Sequence, residues 1–286
     1  MYLKNDRIVA TIKGITFRSF RSGTQGQFVL DPTALTGWDD GTNVRRDATM
    51  HPVSSGDFKE PYTFSARLIS LSGTAIAPNR QELQILRDSL TGVLMSGEYA
   101  ELRIETSASV RFSTVGLENK VEWVQQLDNV ASFRIEFYSP DPHIYGHERT
   151  INLNATTDAG GGLAYPLSYP LNYNVQNAAS ADMSVTNRGN ANAWPTFKVT
   201  GDFYSGFTIT DGTDKKITFT GAVSMASPVL IVTATGSVYQ NGIDKSTLLT
   251  DRQWFPIPPK VTLSPRFIPI QNASGWCDIM VRDTYI

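Results

Sequence analysis

Residues Phe133–Gly146 read FRIEFYSPDPHIYG, and this run constrains the rest of the chain most. Phe133, Ile135 and Phe137 alternate with Arg134, Glu136 and Tyr138, the period of a strand with one buried face. Pro140 and Pro142 end that strand, because proline has no amide hydrogen for a sheet ladder and restricts the residue before it. Further on, GLAYPLSYPLNYN (Gly162–Asn174) repeats (Ala/Ser)-Tyr-Pro-Leu at Ala164–Leu167 and again at Ser168–Leu171. A proline in each repeat suits an extended connector and opposes a helix. The expected organisation is a packed β-domain over 1–150, a connector over 151–182 and a second domain over 183–286.

The first domain reads as strands with one helix. Ile8–Thr11 and Ile15–Phe20 flank a glycine, as in a short hairpin, and Tyr62, Phe64, Ala66 and Leu68 alternate with Thr63, Ser65, Arg67 and Ile69. From Asn79 to Met95, Leu83, Leu86, Leu90, Val93 and Leu94 fall on one helical stripe. Asn79 is the expected N-cap, with Glu82 three residues on in a capping-box arrangement. Ala100–Glu105, Ser109–Val115, Lys120–Leu127 and Ala131–Ser139 complete the strand set. One helix among these strands predicts an α+β layer domain, the helix covering one sheet face. Leu30 to Pro61 is a long irregular segment, and such a loop inside a compact domain tends to carry function. An arm contacting another subunit and a plain solvated loop are both open. Trp38, Asp39, Asp40, Arg45 and Arg46 are its candidate interface residues, the two acids opposing the two arginines in sign.

The second domain is a rhythm of short strands: Thr196–Thr200, Phe207–Asp211, Lys216–Gly221, Val229–Ala234, Ser237–Gln240, Val261–Leu263, Phe267–Ile270 and Trp276–Asp283. Turn signals at Gly201-Asp202, Asp211-Gly212, Gly221, Gly236 and Asn241-Gly242 separate them. That spacing predicts an antiparallel β-sandwich or jelly roll, so the whole chain is expected to be mainly β.

Composition closes several functional routes. With 25 basic and 27 acidic residues the net charge is −2, which provides no bulk attraction to nucleic acid or anionic membrane. No apolar stretch approaches the ~20 residues of a membrane span, and MYLKNDRIVATIKG lacks the apolar core of a secretory signal, so synthesis and folding in a cytoplasm are expected. The single cysteine, Cys277, excludes an internal disulfide and lies in the alternating run WCDIMVRD, where a buried strand thiol is expected. His143 and His147 have the spacing of zinc ligands on a helix, but Pro142 and Gly146 oppose a helix there, so no metal is expected. Asp211-Gly212-Thr213-Asp214 lacks the later ligands of a calcium loop and reads as a hairpin turn. Gly160–Gly162 has no strand and helix around it to make a phosphate loop and reads as a hinge. No nucleophile or nucleotide motif is present, and no cofactor is expected. A glycan hydrolase needs only two acids brought together in space, and Asp39, Asp40 and Asp141 qualify only as any carboxylate does. Trp194, Tyr204, Phe207, Tyr239, Trp254 and Trp276 all fall in the second domain, where aromatic side chains either pack a core or stack against sugar rings. Trp194 and Trp254, each beside a proline or a proline-rich turn, are the candidate glycan contacts.

Taken in order, SPDPHIYG, GLAYPLSYPLNYN, NRGNANAWPTFKVTGDF, Phe207–Asp211, Lys216–Gly221, DKSTLLTDRQWFPIPP and WCDIMVRDTYI resemble the distal tail protein family of siphophages, the long-tailed, non-contractile bacteriophages. The resemblance implies a ring-forming N-terminal domain and a C-terminal β-sandwich of galectin-like or carbohydrate-module-like type. It implies a structural, non-enzymatic virion component at the tail tip, with no cofactor and no catalytic residues. The implied partners are other copies of the chain in a hexameric ring, the tail tube protein, tail-tip and tail-associated proteins, and the tape measure protein. DNA would pass through the lumen without specific binding, and no membrane insertion is implied. Two function classes stay open: a ring-forming hub, and an adhesin whose sandwich binds host-surface glycan.

Overall fold

The computed structural model describes residues 7–23, 25–155, 183–271 and 273–286. The Tyr-Pro repeats and the glycines at 160–162 lie outside these residues. The chain is mainly β with one helix, and it divides into two compact units, one running to His147 with Ile286 and the other spanning Glu148–Tyr285.

In the first unit, β1 (Val9–Ile12) and β2 (Ile15–Arg18) form a hairpin. Lys13 and Gly14 both take positive φ (47° and 82°), the two-residue turn whose twist matches that of the strands it joins. There follow β3 (Gln27–Thr36), β4 (Val44–Arg45), β5 (Thr63–Phe64) and β6 (Arg67–Ile76). Helix α1 (Arg80–Thr91) leads to β7 (Ala100–Glu105), β8 (Val110–Leu117), β9 (Glu122–Leu127), β10 (Val130–Ser139) and the start of β11 (Ile144–Asn154), which from Glu148 on belongs to the second unit. The strand order β8-β7-β1-β2-β3-β6-β10 returns to its start, because Phe137 and Tyr138 of β10 pair with Leu117 and Gly116 of β8. The sheet is therefore a closed barrel rather than the open layer expected from the sequence, and closure removes exposed strand edges. Outside the ring, β9 pairs with the first half of β10, and β4 and β5 pair with each other. Phe17, Phe28 and Phe133 meet in the interior with centroids 5.2, 5.6 and 5.3 Å apart.

Several expectations are adjusted here. Helix α1 stops at Thr91, four residues early, because Gly92 caps it and Leu94 turns left-handed at φ 56°. The apolar stripe nevertheless packs inward: Leu83, Leu90, Val93 and Leu94 are buried. Asn79 caps the N-terminus, its side-chain oxygen accepting the Glu82 N–H at 2.9 Å. The alternation at Tyr62–Ile69 has the opposite phase to a core strand: Tyr62, Phe64 and Leu68 are exposed, while Ile69, Leu71 and Ala75 are buried. Strand β3 occupies the start of the segment read as irregular, its pairing with β6 broken between Leu30 and Leu35 by a bulge that also breaks the sequence alternation. Strand β11 runs to Asn154, into the expected connector.

The second unit contains β12 (Val185–Thr186), β13 (Thr196–Asp202), β14 (Phe207–Thr210), β15 (Lys216–Phe219), β16 (Val229–Val232) and β17 (Ser237–Gln240). It continues with β18 (Ile243–Asp244), β19 (Leu249–Arg252), β20 (Thr262–Leu263), β21 (Arg266–Pro269) and β22 (Ser274–Tyr285). One sheet runs β18-β17-β16-β13-β22 and continues to β11; a second runs β19-β15-β14-β21. Both sheets contribute to one core, Phe197, Val199, Ile231, Cys277 and Ile279 from the first and Phe207, Ile209, Ile217, Phe219 and Phe267 from the second. Cys277 is fully buried, and desolvation, with Asp278 beside it, pushes its thiol well above the ordinary range. Such a thiol is inert packing.

Candidate functional site

Two surfaces carry chemistry that the folds of the units do not use up. The first lies on the long segment after β3. Strands β4 and β5 pair as a ribbon, extended by the Met50↔Asp57 bridge and by hydrogen bonds from Ser65 N–H to Asn43 O (2.8 Å) and from Phe58 N–H to Thr49 O (2.9 Å). His51 packs against Phe58 with centroids 4.1 Å apart and the rings tilted by 49°. This hairpin is ordered by its own backbone bonds, yet Val44, Met50, Val53, Phe58, Tyr62 and Phe64 are all exposed, Met50 at 77% and Val53 at 97%. These exposed apolar side chains make the hairpin a candidate interaction surface.

The hairpin is anchored by Arg67, which sequence reading missed. Arg67 is 2% exposed. Its Nη1 donates to the carbonyls of Gly37 (2.8 Å), Trp38 (3.3 Å) and Asp40 (2.7 Å), and its Nε donates to Pro142 O (2.8 Å). Desolvation lowers its pKa, and the charges of Asp40 and Asp39 act against that shift. The guanidinium thus ties the base of the hairpin to the SPDP turn, two segments with no sequence relation. Its signal in the sequence was slight: an arginine in an alternating run, with nothing local to say which phase faces inward.

The proposed interface residues separate accordingly. Trp38 is 3% exposed and packs inside its own unit, so its indole is not available to a neighbour. A tryptophan beside two acids looked like a surface group; the Arg67 bonds to the neighbouring carbonyls draw the backbone inward instead. Asp39, Asp40, Arg45 and Arg46 are exposed. Arg46 lies 3.8 Å from Asp57 across the hairpin, a surface pair of small energetic weight.

The SPDPHIYG turn is organised by Asp141. Its Oδ1 accepts the His143 N–H at 3.0 Å and lies 2.7 Å from His143 Nδ1, while the Tyr145 hydroxyl donates to Oδ2. Burial would raise this carboxyl, but the bonds from His143 and Tyr145 outweigh it and hold the pKa below its ordinary 3.8. His147 stands apart, edge-on to Phe112 with centroids 5.0 Å apart. Among the described residues no three His, Cys, Asp or Glu side chains converge as metal ligands. The Asp211 carboxylate is consumed by its own turn, accepting from Thr213 N–H (2.8 Å), Thr213 Oγ1 (2.8 Å) and Lys215 N–H (3.2 Å).

The second surface is on the second unit. Trp194 is 43% exposed, Trp254 is half-buried against the core, and a Cβ at Gly236 would lie 3.3 Å from the Trp254 ring. Tyr204 and Tyr239 are exposed and Phe207 is core. Trp276 is half-buried and donates through Nε1 to Asp278 Oδ2 at 3.2 Å. No helix among the described residues is long and apolar enough to cross a membrane.

No family model matches this sequence, and no curated protein does. Solved structures do. The fold is similar over 98% of this chain and 99% of the other to the Dit protein of phage SPP1, described as a paradigm of the hub adsorption apparatus in phages infecting Gram-positive hosts, with a TM-score of 0.65 at 14% identity. Two structures of the phage P2 baseplate in its activated conformation, with Ca and with Sr, align at TM-scores of 0.47 and 0.48, with 12% and 11% identity over 96% of this chain and 97% of theirs. The whole chain, both units included, thus shares its fold with SPP1 Dit at a sequence identity where only the fold is conveyed.

Proposed function

We propose that this chain is a structural hub of a phage tail tip, a member of the siphophage distal tail protein family that forms a ring between the tail tube and the proteins that reach the host. The observation that carries this reading is the end-to-end fold similarity to SPP1 Dit, which leaves neither chain with an unmatched domain. The ordered motif series in the sequence points the same way independently. In this reading the first unit builds the ring, most simply a hexamer, since repeated head-to-tail contacts close only when the rotation between neighbours does. The exposed apolar hairpin is the arm that reaches the next copy. Arg45, at its root, pairs with Asp39 or Asp40 of the neighbour, adding register more than affinity. The tail tube protein, tip proteins and tape measure protein are the partners, the virion tail tip is the location, and the second unit is a sandwich of galectin or carbohydrate-module type. A subunit of net charge −2 also suits a lumen through which DNA slides without sticking. No enzymatic role is proposed.

The test is negative-stain microscopy with mass measurement on the purified chain, alone and with its tube protein. Six-fold rings of the 31.5 kDa subunit are expected. A stable compact dimer with two-fold symmetry, unchanged by the tube protein, would overturn the hub reading.

A second reading, a host-glycan adhesin acting through the second unit, is favoured by the exposed Trp194, a large aromatic that the core does not use. A glycan array probed with the full chain tests it.

A further inference from the structure

We infer that the second unit binds a neutral saccharide in a groove on the solvent face of β13, β16 and β22, with Lys198 and Asp278 as its polar contacts. The inference rests on the adhesin reading and places its site in this groove rather than at Trp194 and Trp254. Antiparallel partners directly opposite each other point to the same face. The pairs Leu230↔Tyr239, Lys198↔Leu230 and Lys198↔Asp278 therefore set Tyr239, Leu230, Lys198 and Asp278 in one row, about 15 Å long at ~4.8 Å per strand. Their chain neighbours Phe197, Val199, Ile231, Cys277 and Ile279 are buried in the core, so the row faces solvent. An open hollow of about 480 Å³ lies on this face, lined by Lys198, Thr196, Val229, Leu230, Met280, Pro228 and Glu148, with Asp278 at its side as the cross-strand partner of Lys198. That is the volume of a small-molecule site.

The polar groups are set for a ligand with mixed donors and acceptors. Asp278 is held from both sides, Oδ1 accepting from Asn152 Nδ2 at 2.8 Å and Oδ2 from Trp276 Nε1 at 3.2 Å, with lone pairs left over. Lys198, its cross-strand partner, is exposed, and its ammonium group makes no hydrogen bond or ion pair among the described residues. Its three donors stand beside the apolar walls of Leu230, Met280 and Pro228. Glu148 is occupied by Arg282 Nε at 3.3 Å. A polyanion would meet the charges of Glu148 and Asp278, and a purely apolar ligand would strand the ammonium group without a partner. A pyranose fits: its hydroxyls donate to a fixed carboxylate and accept from the ammonium, while its C–H face lies on the aliphatic wall. Trp276 continues the alternation of Asp278 and Met280 on the same face and extends the surface available to a second sugar ring.

An array of neutral mono- to tetrasaccharides, probed with the full-length chain, tests this. At least one saccharide is expected to bind, and Lys198→Ala and Asp278→Asn are each expected to weaken it by about tenfold or more, the cost of one or two lost hydrogen bonds. Lys198 is exposed, so its variant reports on binding even where Asp278→Asn loosens the sheet; circular dichroism checks each fold. Retention of binding in Lys198→Ala, with loss in Trp194→Ala or Trp254→Ala, overturns the groove and leaves the adhesin reading standing. A silent array overturns both.

Discussion

Arg67 is the residue on which most depends in the first unit, because one buried side chain satisfies carbonyls from two distant loops. Arg67→Ala removes four donated bonds to mostly half-buried carbonyls and empties the space of a buried side chain, at a cost of about 3 kcal/mol. Urea denaturation is expected to show the midpoint falling with little change in slope. Arg67→Lys recovers little, since a point ammonium cannot span the directions a planar fork reaches. A cost below about 1 kcal/mol would mean that the clamp is incidental. Asp141 makes a pH-dependent contribution. Its pKa is depressed in the folded state, so its stabilisation is fully present above the ordinary carboxylate value and is lost as pH falls through the folded one. The carboxyl is 43% exposed, and solvent screening reduces the effect to about 1 kcal/mol. Wild type should therefore exceed Asp141→Asn by roughly that amount near neutral pH, with the gap closing below about pH 4. A gap that widens in acid would contradict the assignment.

Individual elements differ in how much they depend on the rest of the chain. Helix α1 is close to self-specified: a cap, an apolar stripe and a terminal glycine all lie within its own sequence. Asn79→Ala should cost about 1 kcal/mol by leaving the Glu82 amide uncapped, read as a shift in thermal midpoint. The β4–β5 hairpin is the reverse case. It holds its shape through backbone bonds while its apolar residues face solvent, so packing within the unit does not account for its composition. Met50→Asp with Val53→Asp should leave circular dichroism and thermal stability of the subunit unchanged within about 0.5 kcal/mol, as for surface positions generally. If the hairpin is the ring arm, the same pair abolishes assembly. This substitution is a cleaner probe than deleting the loop, because the loop root carries buried Trp38 and the carbonyls that Arg67 binds.

For the molecule as a whole, the end-to-end correspondence with SPP1 Dit and the closed barrel of the first unit give the hub proposal its strength. The barrel closes within one chain and leaves β9 as its free edge, and the β4–β5 hairpin, with its exposed apolar side chains, is the element proposed to join neighbours. Sedimentation of the wild-type chain at micromolar concentration, with or without its tube protein, should give six subunits of 31.5 kDa, and the Met50/Val53 double variant should sediment as a monomer. Six-fold assembly by the double variant would leave the hub role intact and remove the hairpin from it.

The features legible in the sequence are those whose physics is local. Period-2 alternation at Phe133–Phe137, the stop at Pro140, the cap and stripe of α1, the Asp211 turn and the burial of Cys277 each follow from a few adjacent residues, and each stands in the structure as read. What the sequence could not convey are pairings between distant segments. Barrel closure rests on Phe137 and Tyr138 meeting Leu117 and Gly116, the Arg67 clamp on residues 27 to 75 positions away, and the outward phase of Tyr62–Leu68 on which face of β6 the barrel encloses. The candidate groove is the same kind of fact. Lys198 and Asp278 are eighty residues apart, and only the register of β13 against β22 sets them side by side. Alternation specifies that a strand has two faces; the choice of the inner one is made by the partner strands, and with it whether a charged side chain becomes a buried clamp or an exposed group.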